Sequence, residues 1–125
     1  MEAHIEAIAT QVVAAGLTVH RALGPGLLES AYEHCLAYEL EQRGCVVERQ
    51  VAQPILYGDI TFDAGYRLDL LIGHEVIIEL KAVDALAPIH HAQLLTYLKL
   101  SKRRLGFLMN FNVPLFKDGL KRVAL

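Results

Sequence analysis

Two neighbouring stretches of the chain, residues 66–72 and 76–83, carry the pattern that most restricts the fold. Every even-numbered position in both stretches is apolar or aromatic, and every charged side chain stands at an odd number. Successive side chains of a β-strand point to opposite faces of the sheet, so the pattern predicts two strands whose even-numbered residues pack on a core. Gly73 and His74 lie between the two stretches and indicate an antiparallel hairpin.

The register of this hairpin follows from the same pattern. Residues directly opposite each other share a face of the sheet. A three-residue loop at 73–75 keeps both even-numbered sets on the core and pairs Asp69 with Glu79. A two-residue loop would place Asp69 opposite Ile78 and bury one polar set. The pattern therefore predicts that Asp69, Glu79 and Lys81 lie on one face of the sheet.

The remaining segments indicate an α/β chain. Apolar residues at three- and four-residue spacing are typical of amphipathic helices, and Gly24-Pro25-Gly26 separates two of them. The predicted elements are helices at 2–22, 27–43 and 89–102, β-rich segments at 46–56 and 105–112, turns at Gly58-Asp59 and Asp118-Gly119, and a short strand within 115–125. The helix at 89–102 allows the strands on either side of it to pair in parallel through a crossover.

Length and composition exclude several classes of protein. The chain has 125 residues, of which 54% are hydrophobic and 21% charged, so it is not a disordered or low-complexity protein. A chain of this length predicts one domain, spanning residues 1–125. Two cysteines are too few for a disulfide scaffold, and no stretch is long and apolar enough to cross a bilayer. The N-terminus lacks the basic segment of a signal peptide, so we expect a cytoplasmic protein.

Charge is distributed unevenly along the chain. Residues 99–125 contain seven basic side chains and one acid, whereas residues 1–98 contain five basic and thirteen acidic side chains. A domain with an acidic body and a basic end can hold a metal ion at one end and a polyanion at the other. A solvated basic end without any partner explains the same distribution.

The polar residues of the predicted hairpin carry the chemistry. Two carboxylates beside a lysine are the parts of a hydrolytic site for a hard metal ion, because Mg²⁺ prefers oxygen ligands and keeps several waters. The metal neutralises a phosphate oxygen and lowers the pKa of a bound water, and a nearby ammonium orients that water or stabilises developing charge. A cross-strand salt bridge among Arg67, Asp69, Glu79 and Lys81 explains the same residues equally well.

Four motifs in order resemble a known family. The segment Gly26-Leu27-Leu28-Glu29-Ser30-Ala31-Tyr32 resembles the signature of the GxxExxY protein family, which is placed in the PD-(D/E)XK nuclease superfamily. Asp69 and then Glu79-Leu80-Lys81 agree with the superfamily motif, although Leu68 stands where its name has proline. Gln93-Leu94-Leu95-Thr96-Tyr97 is similar to the Gln-x-x-x-Tyr motif of RecB-like members. The resemblance covers about residues 8–116.

The resemblance implies a fold and a site. The expected fold is α/β and restriction-endonuclease-like, with a central mixed β-sheet flanked by helices. Asp69, Glu79 and the Leu80 carbonyl are expected to bind Mg²⁺ or Mn²⁺, and Lys81 to serve the attacking water. Glu29 is expected to add a carboxylate from its helix.

Gln93 is expected to lie near that site, on the helix that follows the hairpin. The resemblance thus implies a metal-dependent phosphodiester hydrolase that acts on DNA. The alternative is a catalytically inactive nuclease-fold module for nucleic-acid or protein interaction. The acidic set favours the enzyme, because Glu29, Asp69 and Glu79 would repel phosphate unless a cation lay between them. A chain of 125 residues leaves little room for a separate DNA-reading domain, so a homodimer or a partner could supply one.

Overall fold

A mixed five-stranded sheet forms the centre of the molecule, with helices on both of its faces. The computed structural model describes residues 1–125. The helices are α1 (Ala3–Leu23), α2 (Glu29–Gln42) and α3 (Pro88–Ser101). The strands are β1 (Val47–Ala52), β2 (Ile55–Tyr57), β3 (Ile60–Phe62), β4 (Arg67–Ile72), β5 (Val76–Lys81), β6 (Leu105–Asn110) and β7 (Leu120–Ala124). The central sheet has the order β1-β4-β5-β6-β7, which confirms the expected restriction-endonuclease-like α/β fold.

Helices α1 and α2 cover one face of the sheet because each buries an apolar stripe. Along α1 the buried residues recur at the predicted spacing, from Ile5 and Ala9 to Val12 and Val19. The helix ends at Gly24, whose φ of 67° lies in the left-handed region that favours glycine. The buried stripe packs on the β4 and β5 residues of the same face and forms the larger of two hydrophobic clusters.

The β4–β5 hairpin has the predicted register. Leu70 lies opposite Ile78 and Ile72 lies opposite Val76, which confirms the three-residue loop at 73–75. Asp69 comes directly before Leu70, the first paired position of β4, so the same register brings it level with Glu79.

The predicted alternation between the two faces fails at two even-numbered positions at the start of the hairpin. Leu70 packs in the cluster under α1 and α2, but Leu68 packs in the smaller cluster under α3. Tyr66 lies on neither core and is 45% exposed. The prediction that all even-numbered residues share one core is therefore wrong at these two positions. The pairing of β1 with β4 skips Gln50, whose φ of 52° interrupts the regular strand backbone across from Asp69.

Helix α3 covers the opposite face of the sheet. It connects β5 to β6, and these two strands are parallel, as the crossover argument predicts. Leu94 and Tyr97 of α3 pack against Ile77 and Leu108. Helix α3 thus covers the face of β5 that carries Glu79 and shields it from water.

The β-rich segment at 46–56 contains two strands. Its first part is β1, at one edge of the central sheet, and its second part begins β2. Strand β2 pairs only with β3, across the predicted turn at Gly58-Asp59, so the two form a separate small hairpin. None of the three helices combines the length and hydropathy needed to cross a membrane.

Candidate active site

The two predicted carboxylates meet where the main-chain pairing of β4 and β5 ends. The Asp69 N–H donates to Oε1 of Glu79 at 3.3 Å, and the Leu80 N–H donates to Oδ2 of Asp69 at 2.8 Å. Each carboxylate therefore accepts a hydrogen bond from the neighbouring strand at the point where the ladder stops. Glu79 is only 4% exposed, whereas Asp69 is half-buried.

This arrangement strongly favours the protonated form of one carboxyl group. Burial, and after it the adjacent Asp69 charge, raise the pKa of Glu79 from 4.5 to about 9, against a smaller lowering by Lys81. Ionisation of both carboxyl groups in one site costs considerable free energy unless a cation lies between them. The pair therefore holds a proton when nothing else neutralises it.

Lys81 is the last residue of β5, and its ammonium group is free of any ion pair. The residue is half-buried. Arg67 pairs instead with Asp63 at 3.2 Å, because the two lie four residues apart across the turn that enters β4. The cross-strand salt-bridge network that would have explained these residues without chemistry is therefore wrong.

The Gly26–Tyr32 motif sets the position at which α2 begins. The Tyr32 hydroxyl donates to the Gly24 carbonyl at 2.6 Å and accepts from the Leu27 N–H at 3.1 Å. Its ring is fully buried and stacks on Phe111 with the ring centres 4.6 Å apart. The tyrosine thus anchors the loop before α2 from within the core, and Glu29 is the first residue of the helix that this loop delivers.

Glu29 lies at the rim of the same site. Its surface is exposed, but partial desolvation raises the pKa of its carboxyl group, and the Asp69 charge adds to that rise while Lys81 opposes it. Glu29 is therefore within electrostatic range of both residues. It does not complete a three-residue cluster with Asp69 and Glu79, since no three acidic, histidine or cysteine side chains lie close enough together to hold a metal ion.

Gln93 is on α3 and makes no hydrogen bond to either carboxylate. It lines a cavity of about 280 Å³ together with Tyr66 and Tyr97. Tyr97, one turn further along α3, is a cavity residue whose pKa is affected by the carboxylate charges. Burial, and then the charge of Glu79, raises the pKa of its hydroxyl to about 12.

Three residues that no sequence pattern singled out form a chain of polar contacts that ends at Asp69. The Gln50 amide donates to Oε1 of Glu33 at 2.5 Å and to Oδ1 of Asp69 at 3.4 Å. Arg49 holds the second oxygen of the buried Glu33 at 3.0 Å. Glu33 could have been found, because it is one helical turn from Glu29 and shares its face. No local signal marks Gln50, which reaches the site through its unusual backbone conformation.

The basic end is partly neutralised by α1. Arg104 lies 3.4 Å from Glu2, and Arg122 on the edge strand β7 pairs with Glu6. These contacts join the end of the chain to its beginning. They show that part of the charge asymmetry serves pairing within the molecule.

The donor set fits a small, hard divalent cation. The carboxylates of Asp69 and Glu79 are oxygen donors, and the buried Glu79 has no cationic partner within salt-bridge distance. The Leu80 carbonyl is a third oxygen on the same strand. Mg²⁺ and Mn²⁺ suit such oxygen sets, and Mg²⁺ in particular is held by one or two carboxylates while it keeps several waters.

A mixed sheet between helices, with a carboxylate pair and a lysine on two central strands, defines a restriction-endonuclease-like α/β protein. Residues 6–123 match the family model described as the PD-(D/E)XK nuclease superfamily, and the chain belongs to that superfamily. Neither curated proteins nor solved structures gave a significant match. The superfamily indicates nuclease activity on a nucleic acid.

Proposed function

We propose that this protein is a metal-dependent phosphodiester hydrolase that acts on DNA, with residues 1–125 forming one nuclease-like domain. The observation that carries the proposal is the buried Glu79 carboxyl group beside Asp69, without a cationic partner and with Lys81 two residues further on the same strand. We also propose membership of the GxxExxY family. The segment from Gly26 to Tyr32 supports it, because Tyr32 anchors the loop that presents Glu29.

Asp69, Glu79 and the Leu80 carbonyl would hold Mg²⁺ or Mn²⁺. The bound ion would neutralise charge on the phosphate and lower the pKa of a coordinated water. Lys81 presents an unpaired ammonium that orients the attacking water or stabilises developing charge. Glu29 acts from the rim through a water, since it lies outside direct ligand clustering.

Gln93 contributes a side-chain amide on the α3 side of this site. It has no hydrogen-bond partner in the chain, so it can contact the substrate. The acidic set also argues for catalysis over simple binding. A module that only binds a polyanion gains nothing from three carboxylates near the phosphates, because they repel phosphate unless a cation neutralises them.

The proposal is tested by cleavage assays with Lys81→Ala. We incubate single- and double-stranded DNA, and RNA, with Mg²⁺, Mn²⁺ or chelator, and follow product length. We expect DNA cleavage that requires the metal and is lost in Lys81→Ala, with a stability change of only about 0–1 kcal/mol because the lysine makes no salt bridge.

The matched control is Lys117→Ala, which removes an exposed lysine on the short 3₁₀ turn and should cleave as the unaltered protein does. Equal rates for the Lys81→Ala protein and the unaltered one would remove Lys81 from the mechanism. Absence of cleavage under every condition would favour the inactive binding module. Sedimentation analysis in the same buffers tests the further proposal that the protein is a homodimer.

A further inference from the structure

An uncharged cavity lies beside the candidate active site, between α3 and the starts of β2 and β4. Its volume is about 280 Å³. The residues that line it are Ile55, Tyr66, Ile89, Ala92, Gln93, Thr96, Tyr97 and Leu100. Drug-sized ligands occupy cavities of roughly 300–1,000 Å³, so this one suits a single flat ring system more than a larger molecule.

Aromatic rings form one side of this cavity. Tyr66 and Tyr97 meet edge to face, with ring centres 6.2 Å apart and planes 60° apart. Tyr97 is buried, whereas Tyr66 is 45% exposed. A flat ligand can therefore stack on the open face of Tyr66, which Tyr97 supports from behind.

The polar groups of the cavity suit the edge of a ring that carries both donors and acceptors. Gln93 and Thr96 lie on α3, and neither side chain has a hydrogen-bond partner in the chain. No lining residue is charged, so the cavity has no group that would attract a phosphate. An uncharged ring with a polar edge fits these walls, and its attached phosphate would have to lie outside.

The carboxylates lie close to this cavity. Tyr66 lines the cavity and stands directly before β4, three residues before Asp69. Tyr97 lines it too and packs in one hydrophobic cluster with Leu68, which precedes Asp69, and with Ile77, two residues before Glu79. A nucleotide whose base entered the cavity would therefore carry its phosphate toward Asp69 and Glu79.

We propose that this cavity binds one unpaired nucleobase, stacked on Tyr66, next to the phosphate that is cut. The proposal rests on the proposed nuclease function and deepens it by naming the substrate class. The bases of an intact duplex have their edges paired and their faces stacked, so the substrate is single-stranded DNA or an unpaired end.

The test measures binding of a short fluorescent single-stranded DNA oligonucleotide, with Ca²⁺ as the added cation, and compares a duplex of the same sequence. Tyr66→Ala should weaken single-strand binding about 5- to 150-fold, the loss of one base–aromatic stack. Tyr66→Phe keeps the ring and should bind nearly as tightly as the unaltered protein. The matched control is Tyr57→Ala, which removes a 77% exposed tyrosine of β2 that does not line the cavity.

A second series moves a single abasic nucleotide along the oligonucleotide. The unaltered protein should lose affinity sharply when the abasic position is the one beside the cut, and Tyr66→Ala should be indifferent to that position. The two proteins could instead lose affinity equally at every abasic position while metal-dependent cleavage is retained. That result would overturn the cavity proposal but not the proposed nuclease function. The Tyr66-dependent abasic effect without any cleavage would support the cavity and overturn the hydrolase. If the protein neither bound the oligonucleotide nor cleaved it, the cavity proposal and the hydrolase proposal would both be overturned.

Discussion

Gln50 lies outside every sequence motif, yet its amide contacts Asp69, one of the proposed metal ligands. Its amide bridges Glu33 and Asp69, and its φ of 52° is a conformation that residues other than glycine adopt rarely. The β1–β4 pairing skips Gln50, which stands across from Asp69 between the pairs Arg49–Leu70 and Val51–Leu68. The Gln50 amide therefore meets Asp69 at a point where the ladder is interrupted.

We predict that Gln50→Ala weakens Mn²⁺ binding and DNA cleavage by about 10- to 100-fold, because groups that orient a metal ligand typically have effects of that size. Isothermal titration with Mn²⁺ and single-turnover cleavage measure the two quantities. Gln42→Ala, at the exposed end of α2, is the control and should change neither. Unaltered Mn²⁺ affinity in Gln50→Ala would contradict a positioning role.

Glu79 makes the stability of the metal-free protein depend on pH. Its pKa rises from 4.5 in the unfolded chain to about 9 in the folded protein, mainly through burial and then through Asp69. A raised folded-state pKa means that the stabilisation is complete below pH 4.5 and is lost as the pH rises toward about 9. Ionisation of the buried group thus opposes folding across the neutral range.

We predict that in chelator the free energy of unfolding falls between pH 5 and pH 9, and that Glu79→Gln removes much of this fall. At pH 8 the variant should be more stable by more than about 1 kcal/mol, the equivalent of a single pKa unit. Urea unfolding across this pH range measures it. Glu41→Gln, on the exposed face of α2, serves as the control. Parallel pH profiles for the two variants would show that Glu79 ionises freely in the fold.

At the scale of secondary-structure elements, the start of α2 depends on a side chain that points back into the core. Tyr32 satisfies the Gly24 carbonyl and the Leu27 N–H, neither of which belongs to a helix or strand. The Tyr32 hydroxyl therefore ties the two ends of the loop before α2 together, and this loop sets the position of Glu29 at the start of the helix.

We predict that Tyr32→Phe lowers the free energy of unfolding by about 1–3 kcal/mol, because two backbone groups lose their partner. Cleavage measured well below the melting temperature should also fall, because Glu29 is no longer held at the rim. Tyr38→Phe, a 62% exposed tyrosine of the same helix, is the matched control for both measurements. Reduced stability with fully retained cleavage would show that the loop position does not matter to the site.

Within the whole molecule, the site lies between the helix layer that contains α2 and the opposite layer, formed by α3. Asp69 is linked through Gln50 to Glu33 of α2, whereas Glu79 lies on the face of β5 from which Ile77 packs under α3. A cation between the carboxylates would join β4 to β5 beyond the end of their ladder. Metal binding should therefore stabilise the fold as a whole.

We predict that Mg²⁺ or Mn²⁺ raises the melting temperature by several degrees, since a ligand at about 100 times its Kd adds about 2.7 kcal/mol by mass action. Differential scanning calorimetry of the unaltered protein and of Asp69→Asn measures it. Only the unaltered protein should respond. A flat response of the unaltered protein to millimolar Mg²⁺ and Mn²⁺ would contradict the proposed metal site.

Local sequence patterns are enough to predict the hairpin that carries Asp69 and Glu79. Alternation along 66–72 and 76–83 sufficed for the register, because side chains of opposite character can share a strand only on opposite faces. The same local reasoning located the three helices and the crossover between the parallel strands β5 and β6. The positions of Asp69 and Glu79 relative to each other thus follow from near neighbours in the chain.

The groups that surround this carboxylate pair depend on packing between distant segments, which no local pattern describes. Leu68 packs under α3, Gln50 donates to Asp69, and Tyr97 packs in one cluster with Ile77 of β5, each through contacts between segments that lie far apart in the sequence. Periodicity describes one element at a time and contains no information on how α2 and α3 dock. Docking depends on the summed fit of both cores, so the surroundings of the site emerge only when the whole sheet is packed.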